Sequence, residues 1–266
     1  MPQPPHRWIP LRDQGFFITL PMKAGEATEL GRKIAGLVQA GEPGRAYALL
    51  APAFAQRTPF PLLECIGDTL AMAPDEAVDG FLDHIASERN EGGWVVIGSA
   101  LGTRLGRNPA DVFAQCRDFV VRGDVWYVAD ILGERVPGPA LLADFDHSLA
   151  LLTSWREDPD RWVRRAAGVA IHFWAKRVRG APGTHARARE LLGFLEPVFE
   201  EHDPDAIKGL AWGLKTLGKY YPDLTAAWLE EQLVRRGRHP RALMLRKALT
   251  YLSPAQRARA TKGTGR

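Results

Sequence analysis

The chain has 266 residues, of which 45% are hydrophobic, 25% charged and 9% aromatic, a balance that excludes collagen-like, low-complexity and wholly disordered chains and leaves material for a sizeable core. No apolar run approaches the ~18 residues of a membrane span, and the two cysteines, Cys65 and Cys116, are too few for a disulfide framework and stand in no metal-ligand spacing. The net charge of +4 divides into −4 over residues 1–133, with 12 Lys and Arg against 16 Asp and Glu, and +8 over residues 134–266, with 23 against 15, so the C-terminal half is suited to a polyanion.

Residues 1–20 read as an irregular, Pro-rich arm without the apolar stretch and cleavage site of a secretory signal, and a cytoplasmic protein is the expectation. Apolar residues then recur at three- and four-residue intervals over 26–39, 65–72, 75–87 and 188–200, which predicts amphipathic helices. Alternating patterns are scarce; 16–20 and 94–97 fit either short strands or buried helix segments. Turn signals punctuate the chain: Gly-Glu-Pro-Gly at 41–44, the glycines of 102–106, Pro137-Gly138-Pro139, Asp-Pro-Asp at 158–160, Ala181-Pro182-Gly183 and Asp-Pro-Asp at 203–205. The two Asp-Pro pairs suit helix starts. Residues 253–266, with Arg257, Arg259, Lys262 and Arg266, read as a frayed basic tail.

The C-terminal half also repeats. Val-Arg-Arg-Ala-Ala at 163–167, Ile-Lys-Gly-Leu-Ala at 207–211 and Leu-Arg-Lys-Ala-Leu at 245–249 are separated by 44 and 38 residues. Each sets an aliphatic residue, one or two basic residues and small residues at a helix start. A period of roughly 40 residues is HEAT-repeat grammar, in which helix pairs stack because no pair buries its apolar face alone. The expected fold is an all-α, HEAT-like solenoid of stacked antiparallel helix pairs over 21–252, with a concave basic face.

Three segments are more specific. Gly-Asp-Val-Trp-Tyr-Val-Ala-Asp-Ile-Leu-Gly at 123–133, Asp-Arg-Trp-Val-Arg-Arg-Ala-Ala at 160–167 and Ile-Lys-Gly-Leu-Ala-Trp-Gly-Leu at 207–214 resemble, in order, the signatures of the AlkD-like DNA alkylation repair glycosylases. The resemblance covers roughly residues 60–255. It implies a solenoid that clasps duplex DNA, with Asp130 similar to the family's catalytic carboxylate and Trp126 and Trp212 similar to the aromatics that frame the lesion's deoxyribose. Arg165 resembles the arginine that accompanies them and meets the backbone near the damaged nucleotide. Lys215 departs from the pattern, standing three residues after the second tryptophan where the family usually has Arg; a point charge remains there and bidentate geometry does not.

The residues suit that chemistry. A purine alkylated at N3 or N7 is already cationic and leaves without protonation, so the developing oxocarbenium character of the sugar is what needs a preorganised carboxylate. Trp126 and Asp130, four apart, share one helix face. Arg165 can meet a phosphate or reach back to hold Asp130, and Arg161, Arg164, Lys208, Lys215, Lys219, Arg246 and Lys247 are candidate phosphate contacts, which fix register without reading sequence. The expected function is a monofunctional glycosylase, acting as a monomer on alkylated double-stranded DNA without metal or other cofactor. A non-catalytic binder of DNA structures and a protein scaffold are the alternatives. His84, His172 and His185 fit no triad or metal spacing, and the tryptophans other than Trp126 and Trp212 read as core.

Overall fold

The apolar periodicity is realised as helix throughout the computed structural model, which describes residues 22–262; among these residues there is no strand. In chain order the helices are α1 (Ala24–Gln39), α2 (Pro43–Ala55), α3 (Phe60–Leu70), α4 (Asp75–Ser87), α5 (Glu91–Arg104), α6 (Pro109–Gly123), α7 (Trp126–Arg135), α8 (Pro137–Ala143), α9 (Phe145–Arg156), α10 (Arg161–Val178), α11 (His185–Leu195), α12 (Pro204–Tyr220) and α13 (Pro222–Glu230), which runs into a π-helical turn (Glu231–Arg235), then α14 (Ala242–Ala248) and α15 (Pro254–Ala260). The fold is all-α and solenoid-like. Helices α1, α3, α5, α7, α10, α12 and α14 form a first row, each packed on the next; α2, α4, α6, α9, α11 and α13 lie behind them, and α15 continues that second row from α13.

Glycines set the spacing of the first row. A Cβ on Gly31 would stand 2.8 Å from the Ile66 carbonyl oxygen, on Gly67 2.5 Å from that of Val96, on Gly102 2.5 Å from that of Arg135, and on Gly168 2.4 Å from that of Gly209. Only glycine lets these backbones meet. Neighbouring second-row helices touch one another more sparsely, so the closest packing runs along the first row.

Two Asp-Pro turns start the longest first-row helices as their sequences predict. The Asp160 carboxylate accepts from the amides of Trp162 (2.8 Å) and Val163 (3.2 Å), and that of Asp203 from Asp205 (2.8 Å) and Ala206 (3.0 Å). Each cap satisfies amides that the helix itself leaves unpaired, worth about 1 kcal/mol. Trp94, Trp155, Trp162 and Trp174 are buried in the core and Trp228 packs at its edge. Cys116 is buried, which pushes its thiol pKa up, and Cys65 is half-buried.

Elsewhere the structure departs from the sequence reading. Residues 94–97 are helical, in the middle of α5, and Gly102 is not part of a turn but lies in that helix against α7. Pro137 and Pro139 open α8 rather than a turn, because a first helical turn needs no amide donors. The segment expected to fray is α15: Ser253 and Gln256 form a capping box, Ala260 is fully buried, and Arg259 pairs with Glu230 at 3.4 Å. The expected arm over 1–20, the strand-like stretch at 16–20 and residues 263–266 lie outside the described residues.

Candidate active site

Helix α6 is capped by Asp124, whose φ of 47° is left-handed, and Val125 is extended, so the chain turns sharply and α7 begins at Trp126. The Trp162 indole N–H donates to the Asp124 carboxylate at 2.8 Å, fastening that turn to α10. Trp126 is therefore held at a helix start with 54% of its surface exposed. Its ring meets Tyr127 edge to face, centroids 5.8 Å apart.

One turn along α7, Asp130 faces α10. The Arg165 guanidinium donates from Nε to Oδ1 at 2.7 Å and from Nη2 to Oδ2 at 2.8 Å, a bidentate pair, and its Nη1 reaches the Asp205 carbonyl at 3.3 Å. Its carbon centre lies 5.9 Å from the Trp126 ring centroid. The side chain of Arg165 is 8% exposed and that of Asp130 17%, so the carboxylate is the more open member of the pair. Gly209 makes room for it: a Cβ there would stand 2.3 Å from the Arg165 carbonyl oxygen and 2.6 Å from its Cγ. Trp212, half-buried on α12, stacks on His172 of α10, with centroids 3.9 Å apart and planes at 26°. His172 Nδ1 lies 2.7 Å from the Thr216 hydroxyl, which donates to the Trp212 carbonyl at 2.9 Å. Burial, with Lys176 and Lys215 nearby, lowers the His172 pKa to about 4, so the ring is neutral at pH 7.

A family model described as DNA alkylation repair enzyme matches residues 83–252, more than half of the chain. The chain belongs to that family. No curated protein and no solved structure matches it. Membership makes it an enzyme of alkylation repair whose substrate is DNA, and the matched span contains every residue that the sequence proposes for the site.

Against this repair-enzyme frame, the eight cations expected at phosphates fall into two groups. Arg165 is tied to Asp130, and Arg164 is drawn into the fold by Glu201, at 2.6 Å, and by the Asp158 carbonyl, at 2.7 Å. Burial pushes the Glu201 carboxyl up, but hydrogen bonds from Arg164 and from the amides of Asp203 and His202 hold it below the usual range. Arg161 pairs with Asp124 at 3.5 Å and Lys208 with Asp205 at 2.8 Å, both exposed. Lys215, Lys219, Arg246 and Lys247 form no ion pair among the described residues. Lys215 and Lys219 lie 5.3 and 5.5 Å from the Tyr251 ring centroid, an exposed aromatic that sequence reasoning leaves unremarked.

Two further residues escape the sequence reading, and helical spacing is the one signal that could have pointed to them. His172 follows Arg165 by seven residues and Glu134 follows Asp130 by four, so both continue the site's faces. Among the described residues no group of three or more His, Cys, Asp or Glu is placed to hold a metal ion, and no helix is long and apolar enough to cross a membrane.

Proposed function

We propose that this repair enzyme is a DNA glycosylase that hydrolyses the N-glycosidic bond of cationic N3- or N7-alkylated purines in duplex DNA. The supporting observation is Asp130, oriented by a bidentate arginine beside the exposed Trp126 indole. As the C1′–N bond breaks, its electron pair neutralises the purine and positive charge grows on the sugar. The carboxylate, the more open end of its pair, offers a preorganised negative charge to that sugar, and the indole face adds about 0.5–2 kcal/mol of attraction for the cation. Each Asp130 oxygen keeps a lone pair beyond the one given to Arg165, enough to orient the water that attacks C1′ and loses a proton. Arg165 acts on this carboxylate, holding its plane, and the unpaired cations of α12 and α14 supply the phosphate contacts.

The test is release of base from duplex DNA carrying N7-methylguanine, compared between wild type and Asp130→Asn. Release should fall at least about a hundredfold, as when a preorganised electrostatic group is removed, while the Kd for the same duplex changes less than about twofold, because the affinity comes from phosphates. Binding without release by the wild type would instead make the chain a non-catalytic reader of damaged DNA.

A further inference from the structure

His172 is over nine-tenths buried between α7, α10 and α12. One face of its ring stacks on Trp212 at 3.9 Å, and Nδ1 is tied to the Thr216 hydroxyl. The Thr216 hydroxyl also lies 2.9 Å from the Trp212 carbonyl, so it bridges the ring and that backbone. Nε2 is buried without a hydrogen-bond partner, and the nearest carboxylate oxygen, Oε1 of Glu134, is 3.9 Å away. A core imidazole normally satisfies both nitrogens; this one gives its second nitrogen up and keeps a ring stack.

We propose that His172 is a positioning residue, a neutral backing plate that fixes the plane of the Trp212 indole and keeps its opposite face electron-rich for a cationic nucleotide. The inference rests on the glycosylase reading for what Trp212 does and on geometry alone for how it is held. Neutrality matters to the device. An imidazolium against the indole would draw on the same ring quadrupole that a cationic lesion uses. The charged groups facing the ring are Glu134 from α7, Lys176 from α10 itself and Lys215 from α12; burial and the two lysines keep the proton off. Thr216 completes the clamp, since its hydroxyl touches both the imidazole and the backbone of the residue being positioned.

Two measurements test this, one of them independent of activity. In ¹⁵N-labelled protein the indole N–H signal of Trp212, identified by its loss in Trp212→Phe, should move by more than its line width in His172→Ala and in Thr216→Val, the second of which removes the hydrogen bond without emptying the stack. In single-turnover assays His172→Ala should lower base release about tenfold or more, as a misplaced positioning group does, with duplex Kd within about twofold and with His172→Phe recovering most of the rate. The loss should vanish in a Trp212→Ala background, which a general loss of stability would not do. A Trp212 signal unmoved in both folded variants overturns the proposal, as does a rate loss that persists without Trp212. If the wild type releases no base, the glycosylase reading fails and the indole signal alone decides the positioning claim.

Discussion

Arg164 and Arg165 are consecutive and chemically identical, yet one is tied to Glu201 and the other to Asp130. Neighbours on a helix point about 100° apart, so a sequence can place two arginines at a helix start but not say which reaches which carboxylate. The Trp126 and Asp130 pairing was legible because four-residue spacing fixes a shared face whatever the partners do. His172 was not, because its role comes from Trp212, 40 residues away on another helix. Its burial carries a pH signature. The folded-state pKa is about 4 against an ordinary 6.5, so as pH falls below 6.5 the unfolded chain takes up a proton that the folded chain refuses. Stability contributed by the neutral ring is whole above pH 6.5 and is lost progressively toward pH 4, by up to roughly 1–3 kcal/mol. His172→Phe has no proton to take. The gap in unfolding free energy between wild type and this variant should therefore shift against wild type from pH 7 to pH 4.5 in urea melts, and a gap independent of pH would refute the assignment.

Among the helices, α5 shows why some elements escape pattern reading. Every residue from Gly93 to Leu101 is buried, because α3 and α7 flank it in the first row and α4 and α6 cover it from behind. A helix covered on all sides has no polar stripe, so residues 94–97 read equally well as a strand. The C-terminal repeat was legible through its aliphatic-basic-small helix starts. In the N-terminal half the repeat survives chiefly as single glycines, Gly31, Gly67 and Gly102, each meeting the next helix's carbonyl, a signal too sparse to recognise without the fold. Helices α10 and α12 carry the same device to its tightest approach, at Gly168 and Gly209, and there it touches the site. A methyl group on Gly209 would collide with the Arg165 backbone carbonyl and Cγ, and backbone cannot rotate aside. Gly209→Ala should cost about 1–3 kcal/mol, in the range of overpacked cores, and should disturb the arginine that holds Asp130. Its base release should fall even at temperatures where circular dichroism shows the variant folded. A variant of wild-type stability and rate would mean that α10 and α12 separate more easily than their contact implies.

At the scale of the whole molecule, +4 is a poor guide to which charges meet DNA. A cation already paired with a carboxylate brings little attraction for a phosphate, since binding would have to break the pair or act through a neutralised dipole. By this criterion Arg164 and Arg165 are held by carboxylates of the fold, whereas Lys215, Lys219, Arg246 and Lys247, without ion-pair partners among the described residues, are the cations proposed for the phosphate contacts. They lie on α12, the helix of Trp212, and on α14, which packs against it in the first row. Lys215 and Lys219 are further gathered over Tyr251, whose ring holds their chains without neutralising them. Counterion release makes this separable by experiment. Each phosphate contact contributes about 0.9 to the slope of log affinity against log salt. Lys219→Gln and Lys247→Gln should each lower the magnitude of that slope by roughly 1 and weaken binding to damaged and undamaged duplex alike. Arg164→Gln should leave the slope unchanged while lowering the melting temperature, because it strands the Glu201 carboxylate in a half-buried site. Duplex binding measured from 50 to 300 mM salt decides the matter. A slope that responds to Arg164 and ignores Lys219 and Lys247 would move the DNA track off α12 and α14, to the start of α10.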